Sequence, residues 1–217
     1  QFLKMTDNKY TFAPLENLSK WISRILKFLI FLYSLSLFFD VLHFVYPLPL
    51  DEETELFHGL SLLIVIPVVI ITVVLVPLLG VWIIRANKNV RSLGAEHLSI
   101  SPGWALGYFF VPILNLFKPL KAMNELFLAS HAPHSWHQNP KEKSRVVSYW
   151  WVLFTGNLIL LSSEEKYYDR AVTVDELNKA ILLGILGTII SILSCKVTID
   201  MIRAISNAQI KNSNKLN

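Results

Sequence analysis

Long apolar runs alternate with charged connections along this chain, and several runs have the length of a bilayer crossing. Residues 25–46 form the first, framed by the aromatics Trp21 and Tyr46 and stopped by Pro47 and Pro49. Residues 60–84 form the strongest. These 25 positions carry no charge, and as a helix they rise about 37 Å, enough to cross a roughly 30 Å hydrocarbon core with tilt. Pro67 and Pro77 predict bends within this run. Residues 146–161, opened by Tyr149, Trp150 and Trp151, and residues 177–199 predict two more spans.

The stretch 103–130 fits a different pattern. Ser101-Pro102-Gly103 signals a helix start, with Ser as cap and Pro at the first position, and Trp104 to Phe117 is apolar apart from Asn115. These fourteen residues cover only about 21 Å as a helix, short of the core thickness. Pro112 and Pro119 interrupt the run, and Lys118 and Lys121 follow it. From Pro119 to Ser130, the residues Leu120, Met123 and Phe127 share a face opposite Lys121 and Glu125, which predicts an interfacial helix. Basic clusters lie on both sides of this segment, so 103–130 is expected to enter and leave by the same membrane face.

Charge sorting orients the spans. The connections around Asp51–Glu55 and Glu164–Glu176, counted through Lys179, hold nine acidic residues and only Lys166, Arg170 and Lys179 as basic ones. Seventeen of the twenty Lys and Arg residues fall in the rest of the chain. The positive-inside rule then places both termini in the cytoplasm and the two acidic connections outside. A full crossing by 103–130 would put the basic 131–145 connection outside, which the same rule disfavours.

Composition agrees with a membrane protein. Hydrophobic residues make up 53% and charged residues 17%, against roughly half and a quarter in soluble domains. The net charge of +4 flanks apolar runs instead of forming one stripe, so anionic lipid headgroups are the expected counter-charge and nucleic acid is not. Lys20, Arg24 and Lys27 precede the first run as in a signal peptide, but the run is long for an h-region and no small-x-small cleavage site follows. Cys195 is the sole cysteine, which excludes an internal disulfide and any CxxC metal or haem motif.

One dense set of motifs spans residues 82–130. It reads Arg85, Ala86 and Asn89, then Ser101 to Trp104, Val111 to Ile113, Asn115, Leu116, Pro119, and Met123 to Leu126, with Tyr149-Trp150-Trp151 later. This pattern resembles the bacterial membrane family catalogued as domain of unknown function 4328. The resemblance implies a bacterial membrane protein and carries over no activity, cofactor or catalytic residue.

Candidate chemistry is sparse. Arg85, Lys88, Arg91, Lys118 and Lys121 are expected to converge at the inner headgroup level beside Trp104 and Asn115, a surface suited to a phosphate or carboxylate. The competing reading is that these charges only enforce orientation. His131, His134 and His137 are evenly spaced, yet Pro133 and Pro140 prevent a helical i, i+4 ligand pair. His43 and His58 lack a supporting haem motif. Asp40, with His43 three residues on, is the ionisable residue most suspect at membrane depth, with Asn157 as a possible polar partner; a solvated interfacial carboxylate is the alternative. Lys196, Asp200 and Arg203 stand at steps that allow mutual pairing. Gly184, Thr188, Ser191 and Cys195 form a small-residue face for close helix packing, within one chain or between copies. No GxSxG, HExxH, P-loop or GxGxxG signature occurs.

These readings lead to an all-α polytopic protein of the bacterial cytoplasmic membrane, one transmembrane domain over 1–217. Four transmembrane helices and a re-entrant or interfacial segment are expected. The function expected is that of a non-enzymatic accessory or structural subunit, without cofactor or metal, contacting membrane lipids and other membrane proteins or its own copies. The alternative is a small transporter or channel-like protein built on Asp40 and the bent second span.

Overall fold

The computed structural model describes residues 10–46, 53–138, 144–168 and 174–215. Asp51, Glu52, Lys141, Lys143, Asp169 and Arg170, part of the charge argument above, lie outside these residues, as do the side chains of Glu53, Glu55, His58, Glu164, Glu165, Lys166 and Asp175.

Every regular element described is helical. Four are long: α1 (Glu16–Val45), α2 (Glu53–Ser92), and, after two shorter helices, α5 (Arg145–Tyr168) and α6 (Val174–Ser213). The shorter ones are α3 (Pro102–Gly107) and α4 (Lys118–His131). Single 3-10 turns occupy Tyr108–Phe110, Leu114–Leu116 and Trp136–Gln138. Among the described residues, three helices are long and apolar enough to cross a membrane, over Glu16–Val45, Leu62–Ser92 and Asn178–Ser213. Each continues past the predicted apolar run, because residues beyond the run keep a helical spacing of buried positions. On α1 these are Ser19 and Ile22, preceded by Leu15 just before the helix; on α6 they are Ile202, Ile205, Ser206 and Gln209. Pro67 and Pro77 lie inside the continuous α2 helix.

The chain divides into two compact units. The first comprises Gln1–Ile22, Val76–Tyr149 and Ile199–Asn217, and the second Ser23–Leu75 and Trp150–Thr198. The first unit has a dense core in which Trp82, Val90, Met123, Leu126, Val147, Ile202 and Ile205 are nearly inaccessible. The second buries Leu26, Leu29, Leu32, Trp150, Trp151 and Ile181 but leaves Phe31, Phe38, Leu63, Val69, Val73, Ile159 and Leu186 exposed. Single exposed apolar residues are ordinary on a soluble protein, but a surface this apolar marks contact with lipid or with other protein. Charge divides unevenly: fourteen basic and six acidic residues in the first unit, six and ten in the second.

Candidate functional site

The first unit is organised around a buried polar knot. The amide of Asn89 on α2 reaches the chain before α1, accepting from the Ala13 N–H at 2.9 Å and donating to the Ala13 carbonyl at 2.8 Å. Asn89 also donates to the side-chain carbonyl of Gln209 on α6 at 3.1 Å. Gln209 in turn donates to the Ala86 carbonyl and to Ser130 Oγ, both at 3.0 Å. Asn212 adds a bond to the Ser130 carbonyl at 2.9 Å. One helical turn or more away, the Trp82 indole N–H donates to Ser19 Oγ at 2.9 Å, and Ser19 and Ser206 hydroxyls lie 2.7 Å apart. No buried side-chain nitrogen or oxygen among the described residues lacks a partner. A network satisfied throughout fixes the mutual register of these helices, since any slip would leave amides unpaired in an apolar core.

A second set of bonds secures the connection from α2 to α3. Gly94 adopts φ +86°, and Gly94 N–H donates to Arg91 O while Ala95 N–H donates to Val90 O. That is the Schellman pairing that closes a helix on a left-handed glycine. A Cβ on Gly94 would lie 2.6 Å from the His134 ring. Arg91 donates to the carbonyls of Asn87 and Ile100. Glu125, buried on α4, accepts from the backbone and hydroxyl of Ser99. Its burial corrects the solvent-facing position expected from spacing. The face of α4 that packs inward is Pro119, Ala122, Met123, Leu126, Ala129 and Ser130, because small residues allow close approach while Phe127 stacks outward on His131.

The segment after Ser101 departs from the expected fourteen-residue helix. Pro102 does stand at the first helical position and Ser101 is extended, but the Ser101 side chain makes no capping bond. The α-helix passes at Gly107 into the 3-10 turn Tyr108–Phe110, and the helical run stops there because Pro112 holds Val111 extended, at φ −96° and ψ 114°. At Ile113 the backbone turns through φ 67° and ψ −49°, and the Leu114 N–H donates to the Pro112 carbonyl at 2.8 Å. This is a γ-turn of the positive-φ kind, strained for any β-branched residue. The turn thrusts apolar side chains outward: Ile113 is 74% exposed, Phe110 69%, Phe117 67% and Trp104 55%.

Several of the seven residues expected to form one surface are engaged locally, and Arg91 and Lys121 both lie near Glu125. Lys118 Nζ sits 5.8 Å from the Tyr108 ring centroid, and Tyr108 packs on Trp104 at 5.1 Å, so these belong to the apolar apex. Lys121 lies 3.7 Å from Glu125. Arg91 is a structural clamp, and Asn115 is half-buried inside the turn, its N–H donating to Val111 O. Arg85 is half-buried and Lys88 exposed on α2. In the second unit, Ser191 of the small-residue face accepts a bond from Asn157 on α5 at 2.9 Å, while Gly184 and Thr188 are half-buried and Cys195 is buried. Asp40 accepts from Ser36 at 3.4 Å. The described residues hold no cluster of three or more His, Cys, Asp or Glu residues able to bind a metal.

Sequence reasoning missed Asn89 as a tie, Gln209, Ser130 and Gly94. The signals were present: a glycine after a basic last turn, and helical spacing on α6 that continues to Gln209.

Long apolar helices and a largely exposed apolar surface define a membrane-type helical protein. The chain belongs to the family described as domain of unknown function (DUF4328), whose model matches residues 49–207. Searches of curated proteins and of solved structures found no match.

Proposed function

We propose that this protein is a non-enzymatic accessory or structural subunit of the bacterial inner membrane that contacts anionic lipid through its cytoplasmic face. In this reading α1, α2, α5 and α6 cross the bilayer, both termini are cytoplasmic, and residues 103–130 form an interfacial or re-entrant segment. The observation that carries it is the apex at Trp104, Phe110, Ile113 and Phe117, apolar and exposed, followed directly by Lys118 and Lys121. Apolar side chains beside lysines suit the boundary between acyl chains and anionic headgroups. The polar groups a transporter would use are engaged locally, Asn157 with Ser191 and Asp40 with Ser36, which favours the subunit reading.

The test is native mass spectrometry of protein released from nanodiscs holding equal phosphatidylcholine and phosphatidylglycerol, alongside gentle purification from native membranes. The wild type should retain phosphatidylglycerol preferentially, K118Q/K121Q should lose that preference several-fold, and a second membrane protein or further copies should co-purify. Equal retention by both forms would remove the lipid contact. A lone monomer from native membranes would remove the subunit role.

A further inference from the structure

We propose that the cleft between the end of α4 and the last three turns of α6 binds a phosphate monoester. The cleft, about 280 Å³, lies wholly in the first unit, and its polar lining is His131, Asn207, Lys211, Asn212 and Lys215. Its volume is just below the roughly 300 Å³ lower end for ligand pockets, which suits a small headgroup. Ala204 and Ala208 supply the remaining wall. Positions 204, 208 and 211 recur at helical steps on one face of α6, and Lys215 follows in the turn just past its end, so two ammonium groups stand above two small side chains.

Three features distinguish this cleft from a solvated lysine face. It is formed by two elements. Asn207, Lys211, Asn212 and Lys215 can all donate, and none of the lining residues is acidic. Beyond Asp200 the chain to Asn217 carries only basic charge. Two of the polar side chains are also held in place. His131 Nδ1 lies 2.8 Å from the Phe127 carbonyl and its ring stacks on Phe127 at 4.3 Å. A carbonyl only accepts, so Nδ1 carries the proton and Nε2 remains as an acceptor, able to take a hydrogen bond from an alcohol hydroxyl or a water beside the phosphate. Asn212 is tied to the Ser130 carbonyl, which anchors it to the end of α4. Lys211 and Lys215 are exposed and make no ion pair among the described residues. A phosphate dianion seated between them would form charge-assisted bonds to both.

The terminal phosphate can belong to a lipid, as in phosphatidic acid, or to a soluble monoester. The inference stands independently of the subunit reading, since it uses neither the apex nor a partner. The full chain in phosphatidylcholine nanodiscs is titrated with glycerol 3-phosphate, and in parallel its retained lipid is counted by native mass spectrometry from nanodiscs containing phosphatidic acid. Saturable binding is expected in at least one arm, weakened tenfold or more in K211Q/K215Q. A208L, which fills the cleft without altering charge, should weaken it comparably while the unfolding midpoints of both variants stay near wild type. Binding of glycerol 3-phosphate identifies a soluble ligand, and retention of phosphatidic acid alone identifies a headgroup. Absence of saturable binding in both arms, or wild-type binding by either variant, overturns the proposal.

Discussion

Asn89 ties the segment before α1 to α2 and α6 through one amide group, satisfying both backbone groups of Ala13 and the carbonyl of Gln209. Asn89→Ala would orphan these partners, buried at Gln209 and half-buried at Ala13, and at about 1–3 kcal/mol for a fully buried unsatisfied group the loss is about 2 kcal/mol or more. Chemical unfolding in detergent, followed by tryptophan fluorescence, should show that drop for Asn89→Ala and a comparable one for Gln209→Leu. Full retention of stability would mean the knot is dispensable. Gly94→Ala should also destabilise, since a left-handed position costs an L-residue about 1–2 kcal/mol even before the His134 ring must move. These residues were hard to read from sequence for a shared reason. An amide in a helix looks like a solvated polar residue until its partners, 76 and 120 positions away in the chain, are known. Glu125 was misplaced in the same way, because its Ser99 partner lies on a connection 26 positions earlier.

The helices themselves were legible because long uncharged runs have few alternatives to helix in a bilayer. Their ends were not, since α1, α2 and α6 extend into a core where burial alternates with exposed charge. Residues 103–117 show the opposite failure: apolar composition suggested a continuous helix, and Val111-Pro112-Ile113 broke it. Ile113 occupies a turn that glycine would adopt without steric cost, while its side chain is almost free of packing. Ile113→Gly should therefore raise the unfolding stability in detergent by roughly 1 kcal/mol. It should also reduce quenching of Trp104 fluorescence by brominated lipid if the apex is held at the acyl boundary. A stability loss would show that Ile113 is packed, and unchanged quenching would place the apex outside the bilayer.

Across the whole molecule, the division of charge between the two units follows from an alternation visible in the sequence, fourteen basic residues in one and ten acidic in the other. Orientation in the membrane is inferred from that sorting alone. It is tested most directly by cysteine accessibility. With Cys195 replaced by Ser, single cysteines are placed at Glu52 and at the exposed Gln138, and intact bacterial cells are treated with a membrane-impermeant maleimide. The account predicts labelling of Glu52→Cys in intact cells and of Gln138→Cys only after permeabilisation. Labelling of Gln138→Cys in intact cells would contradict it.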